Sequence, residues 1–349
     1  MPTNSKKVSK KNWFNKTFTE QKKRIDAFMA RRPHRSFRLT RRRDYVRPLD
    51  LPGNISFTHH VTQILWQYKK IFGLLVVVYI VLFAVLVGVQ SQDTYAALSG
   101  TLKEASTEAF NGDIGAFGQA GILFLSIMTS GVVTGLTEAQ QVFSVIIFLL
   151  IWLATVWLLR NLLAGHKVKL RDGLYNSGGP IFATLTILVV ILIQLIPVGV
   201  AIVAYSAAAG TGLLTGGGAP AMLFWIGAGL LAILSLFWIT SSLFAMIIIT
   251  LPGMYPLEAL RTAGDIVLGR RIKILFRWVW MLFVVGVFWA VVLIPIILLD
   301  MGVKSLWPAI QWLPIVPVSM VVIAAGTAVW IAAYIYLLYR KVVDYVPEV

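Results

Sequence analysis

Few side chains in this 349-residue chain are of types that do chemistry, and most of those stand without the neighbours that chemistry needs. His59 and His60 form an adjacent pair of metal-ligand types; the other histidines are His34 and His166. Adjacent residues on a helix project about 100° apart, and no third ligand lies nearby. The pair therefore reads as histidines at a membrane interface. There is no cysteine, which excludes disulfides, thiol nucleophiles and Cys-bound zinc or iron–sulfur centres. The motifs Gly-x-Ser-x-Gly and His-Glu-x-x-His and the P-loop are missing. The stretch GTGLLTGGGAP, 210–220, is glycine-rich but lacks the lysine of a phosphate-binding loop, and reads as a flexible connection. Without acid–base pairs or ligand sets, an enzyme is not expected, and no cofactor or metal is implied.

Binding has better candidates. The segment RRPHRSFRLTRRRDYVRPLDLPG, 31–53, carries Arg31, Arg32, Arg35, Arg38, Arg41, Arg42, Arg43 and Arg47. Residues 1–50 hold sixteen Lys and Arg against four acids, so this segment supplies +12 of the chain's net +16. Such a tail calls for an acidic partner. Anionic lipid of the inner leaflet is the first choice, at about 1 kcal/mol per basic residue held near the surface. A cytosolic protein or the ribosome is the alternative, since arginines interleaved with Phe14, Phe18, Phe37 and Tyr45 can pair with phosphate and stack on bases. Just upstream, Phe14, Phe18, Ile25, Phe28 and Met29 share one helical stripe opposite Lys16 and Lys23. A helix of this kind lies in the headgroup layer, and Pro33 ends it.

A second set of polar residues falls inside apolar runs. Gln194, Ser241 and Ser242 are the candidates for an intramembrane polar contact, with Thr184, Ser235 and Thr240 read as bonding to backbone or to a neighbouring helix. Gly227, Gly229, Ala324, Ala325 and Gly326 fit close packing between helices. Ionisable groups are almost lacking in these runs, which argues against a proton-coupled pump.

The elements that must position these residues follow from composition. The chain is 58% hydrophobic and 13% charged, whereas soluble domains run at about 45–50% and about 25%. Its twelve Trp, eleven Tyr and nineteen Phe supply material for interfacial belts. Six runs are long enough to cross about 30 Å of hydrocarbon. They are 71–90, 142–163, 181–205, 221–249, 274–299 and 314–338. Alternating strands of the barrel type are missing, so the expected fold is an all-α polytopic membrane bundle with interfacial amphipathic helices. The first run begins too deep in the chain for a cleaved signal peptide.

Positive charge sets the expected orientation. Lys69 and Lys70 precede the first span. Arg160, Lys167, Lys169 and Arg171 follow the second, Arg261 to Arg277 follow the fourth, and Arg340 and Lys341 follow the sixth. The opposite connections carry Lys103 and Lys304 among several acids. Both termini are therefore expected in the cytosol, with the protein in the cytoplasmic (inner) membrane. The apolar segment AGILFLSIMTSGVVTGL, 120–136, would invert this pattern as a seventh span, and reads as a half-helix or a packed outer segment. The expected organisation is a basic cytosolic tail over 1–56, a membrane domain over 57–341 and a short cytosolic end over 342–349.

Leu-Ile-Pro recurs at 195–197 and 293–295, late in the third and fifth spans, and the prolines should kink those helices. Each of these spans follows a short basic amphipathic segment, HKVKLRDGLYNS or EALRTAGDIVLGRRIKI, and FTHHVTQILWQYKK precedes the first span. This suggests three units, each a short helix followed by a membrane hairpin. The stretch LPGMYPLEALRTAGDIVLGRRIKILFRW, 251–278, resembles a recurrent element of bacterial six-helix membrane proteins, among them the membrane domain attached to some glycerophosphodiesterases. Pro256, Glu258, Ala259, Leu260, Ala263, Val267, Gly269 and Arg270 carry the likeness. It implies a six-helix layout in which an interfacial helix turns at Gly269 into a span. No phosphodiesterase domain accompanies it, so no activity is implied. The expected function is that of a non-enzymatic scaffold or envelope-associated factor. The alternative is a transporter or lipid-handling protein with a path between hairpins.

Overall fold

A computed structural model describes residues 51–87, 137–210, 218–307 and 313–344. The basic tail with its eight arginines, the stripe at 11–30, the segment 120–136 and the last five residues lie outside the described residues, as does most of the glycine-rich connection. Among the described residues regular structure is entirely helical. The helices are α1 (Asn54–Gln67), α2 (Lys69–Leu86), α3 (Glu138–Leu163), α4 (Leu170–Ser177), α5 (Ile181–Gly210), α6 (Gly218–Ile248), α7 (Pro256–Val267), α8 (Arg271–Leu306) and α9 (Ile315–Val343). Six of them, α2, α3, α5, α6, α8 and α9, are long and apolar enough to span a membrane. Each coincides with one expected run. Among the described residues the order short, long, long occurs three times.

Local chemistry explains the boundaries. Thr137 and Gln140 open α3 with a capping box: the Gln140 amide donates to Thr137 Oγ1 at 3.4 Å and the Thr137 amide to Gln140 Oε1 at 2.8 Å. Gly165, at φ 84°, closes the same helix. There the His166 amide reaches Asn161 O and the Gly165 amide reaches Leu162 O, a Schellman ending that needs a left-handed residue. Gly269, at φ 77°, turns α7 into α8. Pro256 stands in the first turn of α7, where its missing N–H costs nothing. Pro197 and Pro295 lie inside α5 and α8, and both helices continue through them.

The C-terminal helix is the centre. α9 packs against α1, α2, α3, α6 and α8. Ala332 to Leu338 are buried on every side, a pattern that a surface helix with one apolar stripe cannot show. Around this stretch gather Trp152 to Leu159 of α3 and Phe244 to Ile248 of α6. The Phe57 ring meets Tyr334 edge-on at 4.9 Å between centroids, and Phe244 meets Trp278 at 5.6 Å. A smaller cluster, centred on Trp289, Leu293 and Val316, fastens α8 to α9 farther along. The outer helices present apolar surface instead. Only 11% of the most apolar window of α5 is buried, against 56% for α3. Ile196, Val203, Leu223 and Val291 stand exposed along α5, α6 and α8. Contiguous apolar surface on this scale is foreign to soluble monomers and is what hydrocarbon solvates.

Candidate functional site

Contacts between distant segments bring the cations of the spans to one end. Arg160, in the last turn of α3, donates to the Thr250 carbonyl just past α6 at 3.0 Å and also to its hydroxyl. Arg270, before α8, donates to Val342 O at the end of α9 at 3.0 Å. Arg277 of α8 donates to Pro52 O ahead of α1, and Tyr334 Oη donates to Arg277 O at 3.5 Å. These links tie the end of α3 to the turn after α6, and the start of α8 to the end of α9 and to the lead-in of α1. The three short helices lie at this same end, α1 packing on α8 and α9, α4 on α2 and α3, and α7 on α5 and α6.

Chemistry explains how so many guanidinium groups share this end. A buried charge needs hydrogen bonds, and carbonyls at helix ends carry partial negative charge and lack partners within their own helix. Arg160 and Arg270 take such oxygens at or just past helix C-termini, whereas Arg277 takes the Pro52 carbonyl ahead of α1. Arg340 instead pairs with Asp344 at 3.4 Å on the surface. Arg271 stacks over the Phe237 ring at 4.2 Å. At the opposite end, Lys304 pairs with buried Asp300 at 2.9 Å.

A basin of about 580 Å³ opens at the basic end between α1 and the close of α9. His60, Gln67, Arg340, Lys341 and Asp344 form its rim, and Phe57, Ile64 and Leu337 its floor. Pro52 also lines it. His59 and His60 are both exposed on α1. Among the described residues no three His, Asp or Glu side chains converge.

The polar candidates within the spans divide. Ser242 Oγ donates to Gln194 Oε1 at 2.8 Å, joining α6 to α5. Ser241 turns away and bonds to Trp238 O of its own helix at 3.0 Å. Thr184 and Thr240 likewise bond to carbonyls of their own segments. Neither the basin nor the groove described next is lined by Gln194, Ser241 or Ser242.

A groove of about 550 Å³ runs between α8 and α9 on the other flank of α1. Val285, Phe288 and Val292 wall one side and Ile323, Gly326 and Trp330 the other, under Thr58 and Thr62 of α1. Two indoles fix its mouth. Trp280 Nε1 of α8 donates to Thr58 Oγ1 at 3.0 Å, and Trp330 Nε1 of α9 donates to Thr62 Oγ1 at 3.3 Å. Deeper in, Trp289 Nε1 donates to Thr327 Oγ1 at 3.0 Å. α1 thus bridges the gap like a lintel.

The glycines correct one expectation. A Cβ at Gly227, Gly229 or Gly326 would meet nothing within 4 Å, so these residues do not serve close helix contact. Gly326 instead leaves the groove open. The close approach is at Gly173 of α4, where a Cβ would lie 2.8 Å from Leu158 Cγ. Composition could not separate these cases, because glycine is common in spans for several reasons. Trp280 and Trp330 carried a signal only as interfacial tryptophans. On α7, Ala259, Ala263 and Val267 form the buried stripe, while Leu257 is exposed.

No family model matches the sequence, and no curated protein or solved structure matches it significantly.

Proposed function

We propose that this is a non-enzymatic, multi-pass protein of the cytoplasmic membrane, with both termini in the cytosol, acting as a scaffold or envelope-associated factor. Its basic tail and the basic end of the bundle each offer positive charge to anionic lipid headgroups or to an acidic cytosolic partner such as the ribosome. The observation that carries the reading is the gathering of Arg160, Arg270, Arg277, Arg340 and Lys341 at one end of the bundle. The packing of α3, α6 and α9 supports a scaffold over a transporter, because large side chains such as Phe244 and Tyr334 fill the bundle there. Loosely bound water and ionisable side chains along a path are what transport of polar solutes needs. The likeness of 251–278 to a membrane-domain element accords with a protein that works through its membrane part and tail.

Two measurements test this. The chain has no cysteine, so a single introduced one reports unambiguously. R171C and R261C, both at exposed positions, are expected to react with a membrane-impermeant maleimide only after the cytosolic side is opened; reaction from outside refutes the orientation. Affinity purification with and without residues 1–50 is expected to lose its partners on truncation, and an unchanged partner set refutes a function in the tail. A second reading, lipid handling, is favoured by the groove between α8 and α9.

A further inference from the structure

We propose that the groove between α8 and α9 holds one acyl chain of a membrane lipid, inserted beneath α1. The inference rests on α8 and α9 crossing the bilayer, and goes beyond the cationic face. Three observations lead to it. First, the walls are almost purely hydrocarbon, and a site of this kind with few polar partners does not retain water. Second, the groove opens onto a face where Phe288, Val291 and Val322 are exposed, so its mouth is continuous with surface that only lipid covers in a spanning pair. Third, the slot runs from Val284 to Val292, about 12 Å of helix rise, and its volume of about 550 Å³ accommodates a flexible alkyl chain.

The lip says what is selected. Each threonine hydroxyl donates to a helix carbonyl, Thr58 to Asn54 O and Thr62 to Thr58 O, and accepts one indole N–H. That leaves one lone pair apiece and no donor. A phosphate finds no hydrogen bond from these hydroxyls, so the groove reads the chain and not the headgroup. Gly326 is the residue that keeps the slot open.

The test uses the full-length protein in liposomes containing a phospholipid with a diazirine near the end of one acyl chain, followed by photolysis and mass-spectrometric mapping. Ten or so extra pair contacts at dispersion strength enrich a chain about tenfold over the bulk. Label on Val285, Val292 and Ile323 is therefore expected at about ten times that on Val200 and Ile226, which face outward on α5 and α6. G326F should bring the two to parity, and G326A should leave the enrichment intact, since a Cβ there meets nothing. The wild-type map alone decides the matter if G326F fails to fold: groove label no higher than on α5 and α6 overturns the proposal. So does groove label that follows the headgroup when ethanolamine and glycerol lipids with the same chain are compared. Absence of label on every helix would instead sink the membrane reading, and loss of tail partners would leave the map unchanged.

Discussion

Gly173 and Gly264 offer one substitution at two sites with opposite expected signs. Both lie in short amphipathic helices, α4 and α7. At Gly173 an added Cβ would stand 2.8 Å from both Cγ and Cδ2 of Leu158 and 3.2 Å from Cδ1. Leu158 is fully buried in α3, and its Cγ cannot swing aside as a chain tip can. Either Leu158 leaves its rotamer or α4 lifts off α3. Overpacking of this sort costs about 1–3 kcal/mol. Set against it is the helix propensity that alanine gains over glycine, about 1 kcal/mol. The balance for G173A is a loss of about 1 kcal/mol. At Gly264 a Cβ meets nothing within 4 Å, so G264A gains the propensity alone, about 1 kcal/mol. The propensity term cancels in the difference between the variants, which isolates the contact with Leu158 at about 1–3 kcal/mol. Denaturant unfolding in detergent micelles, followed by tryptophan fluorescence, reads both. The double variant G173A/L158A should be about 1 kcal/mol more stable than L158A, where additivity would make it less stable, because the clash is gone and the propensity gain remains. Equal stabilisation by G173A and G264A would refute the seating of α4 on α3.

Two further substitutions probe contacts between spans. S242A, which removes the hydroxyl bonded to Gln194, should cost about 0.6 kcal/mol in the same unfolding assay, while S241A should be near neutral because its bond is to its own helix. W330F keeps an aromatic ring but removes the N–H to Thr62; it should cost about 1 kcal/mol and speed proteolysis around 51–56, where α1 is no longer held to α9.

Much of the architecture was legible before any coordinates. Each of the six runs overlaps one helix, with described ends differing by up to seven residues, and the three short amphipathic segments became α1, α4 and α7. The polar candidates were legible only in part. Gln194 and Ser242 were correctly singled out and do meet, but Ser241, next in sequence, could not be told from Ser242 without knowing which way α6 faces α5. The glycines were misread for the same reason. Gly326 and Gly173 look alike in sequence, yet one keeps a groove open and the other admits a leucine. Likewise α7 buries its alanines and exposes Leu257, the reverse of what residue size suggests.

The division has a physical basis. A lipid interior demands of each helix, taken alone, enough length, enough apolarity and satisfied backbone groups. The sequence by itself therefore determined the number of candidate spans and the distribution of cations among the connections. Once inside hydrocarbon, an apolar side chain gains no hydrophobic free energy by turning from lipid toward protein, so apolarity no longer distinguishes core from surface. That α9 is the centre, that arginines find helix-end carbonyls, and that a slot stands open beside Gly326 were decided only by tertiary packing, where shape and a few hydrogen bonds act in place of the hydrophobic effect.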